Sequence, residues 1–182
     1  LSLKNENSYL KSITTTAEHA WMLMLMCGRS SKQMLENTQN YKWKRNGLDI
    51  MQFKDKVVGI IGIGRLGKMI EEYCYSFGMQ VIYNDINNQK SSKYITSKRS
   101  SLEDLLKKSD VIFISASYAE NRAKLIIGSE EIKIIKKGSI LINISRGELI
   151  DNELLLNSLK KGLLKAIGLD VLPKDSEWQG NS

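Results

Sequence analysis

The sequence predicts an α/β domain built on a doubly wound parallel sheet, and three observations predict it. Short, continuous apolar runs recur from Val57 onward. Segments with apolar residues at helical spacing separate them. The first run leads directly into Gly62-Ile63-Gly64-Arg65-Leu66-Gly67, and a helix-period pattern follows. Strands that are apolar without alternation are those buried on both faces, which happens when helices cover both sides of a parallel sheet.

Taken in chain order, Thr15 and Glu18 have capping-box spacing, which predicts a helix from about Thr16 toward Asn40. Its stretch 20–27 is apolar all round, so burial on every side is expected, in a core or against another subunit. The methionines there suit gap-filling core. Residues 40–53 read as a polar connector carrying Trp43. Strands are expected at 57–61, 81–83, 111–114, 139–144 and 166–171, and helices at 66–77, 102–107, 129–135 and 152–160. In the first of these helices Ile70, Tyr73, Cys74 and Phe77 mark the apolar face, with Glu71 and Glu72 on the other, and Gly78 is the stop. Asp151 is a suitable N-cap for the last helix and Gly162 a suitable end. The 182 residues read as one domain, with 1–53 packing on a core of 54–182. The first residue is Leu1 rather than methionine, which suggests a piece excised from a larger protein.

Net charge is +7, from 27 basic and 20 acidic side chains. The basic residues are dispersed and mostly lysine, without interleaved aromatics, so nucleic acid is not the expected partner. The charge reads as a solvated surface, with a smaller share attracting anionic ligands. Cys27 and Cys74, both in predicted helices, read as buried thiols of a reducing compartment rather than a disulfide or metal site. The longest apolar stretch is too short to span a bilayer and no signal peptide precedes it, so no membrane association and a cytosolic location are expected.

The glycine turn carries the chemistry. Gly62 allows a tight turn, Gly64 lets the backbone approach a pyrophosphate, and Gly67 lets the helix lie close to the strand. The helix start then offers unpaired N–H groups and partial positive charge to the phosphates. Asp85 closes the second strand, 18 residues past Gly67, where a carboxylate grips the adenosine ribose hydroxyls. A 2′-phosphate about 4 Å from that carboxylate would be repelled by roughly 4 kcal/mol at an effective dielectric near 20. No arginine stands at 86–89 to relieve the repulsion, which favours NAD over NADP.

Functional groups in such sheets gather at the C-terminal ends of strands, which selects Asp85, Ser115, Arg146 and Asp170. Arg146 follows an apolar strand, and its guanidinium suits bidentate binding of a substrate carboxylate, an ordinary surface arginine being the competing reading. Asp170 is placed either to accept from the nicotinamide carboxamide or to cap a helix. His19, the only histidine, lies far upstream in the first helix and is read as structural. That leaves the chain without the proton carrier that transfer between an alcohol and a nicotinamide needs.

Together these motifs resemble the D-isomer-specific 2-hydroxyacid dehydrogenases, a family that includes D-3-phosphoglycerate dehydrogenase. The matching pieces are Thr16-Ala17-Glu18-His19-Ala20, the run from Val58 to Gly67, Ile142-Asn143-Ile144-Ser145-Arg146-Gly147-Glu148-Leu149-Ile150-Asp151, and Gly168-Leu169-Asp170-Val171. The resemblance implies a Rossmann-type NAD-binding domain, inserted in the intact enzyme into a split substrate domain absent here. It implies that Arg65 and Leu66 contact the pyrophosphate, Asp85 the ribose and Asp170 the carboxamide, with Ser115 and Ile144 completing the cofactor-binding set. Arg146 would bind the carboxylate and carbonyl of a small 2-hydroxy or 2-keto acid. The family's glutamate that orients the catalytic histidine falls on Asp175, with Glu177 nearby, and the histidine itself would lie downstream. Where the family carries Pro-Leu-Thr, this chain reads Ser117-Tyr118-Ala119. A homodimer through this domain is expected, and the fragment should bind NAD(H) without turnover. Two alternatives stay open: an NAD-gated corepressor-like binding protein of the same fold, and a methyltransferase using adenosylmethionine, in which the Arg146 segment has no use.

Overall fold

The computed structural model describes residues 7–43, 46–87, 97–117 and 125–173. Six parallel strands form one sheet in the order β3-β2-β1-β4-β5-β6. They are β1 (Val57–Ile61), β2 (Gln80–Asn84), β3 (Lys98–Arg99), β4 (Val111–Ile114), β5 (Ser139–Asn143) and β6 (Leu164–Leu169). The helices are α1 (Asn7–Ser12), α2 (Thr15–Gly28), α3 (Ser31–Gln39), α4 (Arg65–Ser76), α5 (Leu102–Lys108), α6 (Ser129–Ile134) and α7 (Asn152–Lys160). The order reverses between β1 and β4, so the crevice expected at a topological switch point lies above those two strands.

Alternate residues of the central strands feed two separate cores, as a sheet covered on both faces requires. Val58, Ile60, Val111, Phe113, Ile140 and Ile142 pack under α2 and α4. Ile61, Ile112, Ile114 and Leu141 face α5, α6 and α7. On the first face Trp21 of α2 meets Tyr73 of α4 and Phe77, the residue that caps it, edge-on, with ring centroids 5.6 and 4.8 Å apart. Such contacts add about 0.5–1.5 kcal/mol each beyond area burial.

The doubly wound sheet, the Asp151 cap (its carboxylate accepts from Leu154 N at 3.1 Å) and the Gly162 stop (φ +67°) are as expected. Five readings need correction. The helix expected over 16–40 is two helices. A Cβ on Gly28 would stand 2.2 Å from the Phe53 ring, and Ser30 takes a left-handed φ of 52°. The break is thus imposed from the far end of the connector. No capping box forms: α2 begins at Thr15, its N-cap Thr14 accepts no backbone N–H, and Thr14 Oγ1 instead donates to the Glu18 carboxylate at 2.5 Å. Glu71 does not sit on a polar face but is fully buried, because 67, 70, 71 and 74 make one helical stripe against the core. β3 was not expected. It has two basic residues and no apolar run, and pairs with Ile82 and Tyr83 as an edge strand. The last strand is Leu164–Leu169 rather than 166–171, ending where Asp170 N donates to Asn143 O at 3.0 Å.

The apolar stretch of α2 is also not buried all round within this chain. Ala17, Ala20, Met24 and Gly28 face the sheet, while Met22 and Met26 are 45% and 40% exposed. Burial pushes both thiols up from their ordinary range, and Glu71 adds to the effect at Cys74. Cys74 is buried, whereas Cys27 is only half-buried.

Candidate functional site

The glycine turn is built from backbone contacts that side chains would prevent. Gly62 has φ +93°, and a Cβ there would come within 2.5 Å of the Ala116 backbone. A Cβ on Gly67 would stand 2.2 Å from Gly62 O, so the first turn of α4 lies directly against the end of β1. Gly64, the N-cap, has nothing within 4 Å of a Cβ position. Open space above a helix start with free N–H groups is the cradle a pyrophosphate needs.

Asp85 is joined to this turn. Its Oδ2 accepts from Ile63 N at 2.8 Å and its Oδ1 from Asn87 N at 2.8 Å. Those bonds fix the carboxylate while leaving lone pairs for ribose hydroxyls. Ser115 closes the other side by donating to Gly62 O at 2.8 Å. Its hydroxyl is therefore a brace between β4 and the turn. Leu66 packs against the first core, and the Ile144 side chain is buried, so Ile144 can meet a ligand only through its backbone.

Two arginines hold backbone near the turn. Arg65 Nη1 donates to Leu10 O at 3.0 Å and Ile13 O at 2.6 Å, so that nitrogen of its guanidinium braces the α1–α2 junction. Arg99 of β3 donates to Asp85 O at 2.8 Å and Asn87 O at 3.2 Å. It brings a cation to the turn after β2 from the neighbouring strand. Strand adjacency could have revealed it only if β3 itself had been legible.

At the other end, Asn143 organises the turn after β5. Its Nδ2 donates to Arg146 O at 2.9 Å and its Oδ1 accepts from Ser145 N at 3.0 Å. Ser145 Oγ in turn bonds Ala116 O, tying the turn to the loop after β4. Arg146 is exposed, with Nη1 on Ser145 O at 2.8 Å. A Cβ on Gly147 would lie 2.1 Å from Pro173 N, so the chain leaving β6 passes against the arginine's turn. Asp170 directly follows β6, the strand next to β5, where its N–H donates to Asn143 O, and His19 Nε2 lies 3.3 Å from Asp170 Oδ1. The histidine read as structural is thus at the site, a juxtaposition the sequence reading missed. Asp175 and Glu177, and Tyr118 and Ala119 of the departing loop, lie outside the described residues.

A cleft of about 350 Å³ opens at the opposite edge, lined by Asp49, Lys56, Gly138 and Lys165 among others. Lys165 is paired there with Asp49, and none of the candidate site residues reaches it. Among the described residues no group of His, Cys, Asp and Glu could hold a metal ion, and no helix is long and apolar enough to cross a membrane.

The model for the NAD-binding domain of D-isomer-specific 2-hydroxyacid dehydrogenases matches residues 21–180. The chain belongs to that family. It is 32% identical over 168 residues to the glyoxylate reductase of Thermococcus gammatolerans, covering 88% of this chain and 50% of the relative. It is 30% identical over 171 residues to the D-3-phosphoglycerate dehydrogenase of Methanocaldococcus jannaschii, covering 91% and 32%. Among solved structures it resembles D-2-hydroxyisocaproate dehydrogenase, with a TM-score of 0.84 at 28% identity, covering 92% and 50%. The D-lactate dehydrogenase of Aquifex aeolicus, complexed with NAD and lactic acid, gives 0.83 at 28%, with the same coverage. The chain spans about half the length, or less, of these relatives. It is the family's NAD-binding domain.

Proposed function

We propose that this domain holds NAD(H) along the C-terminal edge of its sheet and belongs to a longer dehydrogenase acting on a small 2-hydroxy or 2-keto acid. The observation that carries the reading is the bond from Ile63 N to Asp85, which joins the phosphate cradle to the ribose carboxylate. Arg146 and Asp170 stand at the other end of the same edge. The residues fit the cofactor: a turn open at Gly64, a helix start, and a carboxylate already oriented by two N–H donors.

When bound, NAD(H) supplies hydride exchange at C4 of its nicotinamide. The backbone N–H groups at the start of α4 bind the pyrophosphate, while Arg65 Nη1 braces the α1–α2 junction. Asp85 accepts from the ribose hydroxyls, and Asp170 accepts from the carboxamide N–H and so sets which ring face is presented. Arg146 clamps the substrate carboxylate bidentately and fixes its C2 toward the nicotinamide. Asp175 orients a proton-carrying histidine contributed by polypeptide outside this chain. The exposed Met22–Met26 side of α2 is the surface a second copy covers. A cytosolic setting suits the two free thiols.

Calorimetric titration of this chain with NADH and NADPH tests the reading. Saturable NADH binding, with NADPH weaker, is expected. No heat at millimolar NADH, or tighter NADPH, overturns it. Sedimentation of wild type and Met22→Lys tests the dimer, which the lysine should disperse.

A further inference from the structure

We propose that His19 is a positioning residue for the nicotinamide end of the crevice, acting through Asp170. The inference rests on the assignment of Asp170 to the carboxamide, and goes beyond it by giving that carboxylate a partner.

The packing of α2 produces the contact. Gly168 of β6 admits the helix closely: a Cβ there would stand 3.1 Å from Leu23 Cβ and 3.5 Å from Cys27 Sγ. With Ala17, Ala20 and Met24 buried on the same side, α2 is fixed against β5 and β6. Its N-terminal end then reaches the edge where β6 finishes, and His19 Nε2 comes to 3.3 Å from Asp170 Oδ1. The two side chains are 40% and 37% exposed. The pair therefore lies at the open edge of the sheet rather than in the core, where a tie between helix and strand would be expected.

An aspartate just past a strand end has a broadly rotating carboxylate. With His19 Nε2 3.3 Å from Oδ1, a polar hydrogen on that nitrogen narrows this rotation by its attraction and leaves Oδ2 for an incoming amide N–H. Imidazole does this whether neutral, with the proton on Nε2, or protonated. A carboxylate already set when the ring arrives loses less freedom on binding, so the gain falls on ligands that carry the amide. Among the described residues, charged groups near α2's start include Glu18, which is held by Thr14, and Arg65, whose Nη1 is held by the Leu10 and Ile13 carbonyls. His19 is the one directed at Asp170.

Three probes separate this from a general structural role: NADH, its reduced 3-acetylpyridine analogue, which lacks the amide N–H, and ADP-ribose, which lacks the ring. In His19→Leu, the NADH dissociation constant should rise about 5- to 10-fold, the loss of one charge-assisted contact. Both other probes should stay within about twofold of wild type. His19→Gln, which keeps a donor, should restore most of the NADH affinity. In an Asp170→Asn background, His19→Leu should add nothing further. Equal weakening of all three probes overturns the proposal in favour of a fold-stabilising tie, and unchanged NADH binding overturns it outright. Failure of wild type to bind any probe refutes the cofactor reading instead, and is distinct from either result.

Discussion

The half of the crevice we assign to adenosine and the half we assign to the nicotinamide are finished to different degrees. Around Asp85 both carboxylate oxygens accept backbone N–H groups, and Arg99 fastens the following turn by two carbonyls. Around Arg146 and Asp170 the backbone is equally well held, but the charged ends are exposed and, among the described residues, engaged by Ser145 O and His19. The first half is a template that exists before any ligand arrives. The second presents charges whose value depends on what is brought against them. The turn at Asp85 is thus fixed by the backbone around it, whereas Arg146 and Asp170 reach the surface with a single partner each among the described residues.

The sharpest way to break this contrast is Arg146→Ala in the full-length protein. We expect kcat/KM for a 2-keto acid to fall by about 100-fold or more, from loss of a bidentate clamp. NADH affinity should stay within about twofold. Parallel loss of NADH affinity would show that the two halves are not separable.

Next comes Gly67→Ala, which drives a Cβ to 2.2 Å from Gly62 O. Overpacking of this kind costs about 1–3 kcal/mol, readable in a thermal melt, and NADH binding should be lost with it.

The adenosine half can be tuned in two directions. Asp85→Ala should weaken NADH by roughly 10-fold or more, the worth of a hydrogen bond to a charged group, while NADPH loses less. Arg99→Ala should widen the preference for NADH by a few-fold, as expected for a partly exposed cation at about 0.5–1 kcal/mol. An unchanged preference after that change would place the Arg99 charge away from the ribose.

The smallest effect lies at the far edge of the sheet, where Lys136 Nζ donates to Asp110 Oδ1 at 2.8 Å and Val57 N donates to Oδ2 at 3.0 Å. Burial pushes the Asp110 carboxyl up, but these donors outweigh it and hold it below its ordinary value of 3.8. A lowered folded-state value means the stabilisation is complete above pH about 4 and disappears as pH falls further through that value. Lys136→Met should therefore cost about 0.5–1 kcal/mol at neutral pH, with the difference from wild type vanishing in acid.

Much of this was legible in the chain, for identifiable reasons. β1, β4 and β5 are buried on both faces, so their sequences carry unbroken apolar runs, and the Gly62–Gly67 turn announces itself by residues that tolerate backbone proximity. What escaped was set by distant partners. The break after Gly28 is imposed by Phe53, and β3 exists because Ile82 and Tyr83 offer it a neighbour. His19 and Asp170 are 151 residues apart and meet only through helix packing across Gly168. Local pattern reports burial and turns well. It does not report which polar side chains tertiary packing brings together.

Gly147 has a mechanical consequence. With the backbone of Leu172 and Pro173 seated directly on it, any side chain at 147 would lift the segment leaving β6 off the turn that presents Arg146.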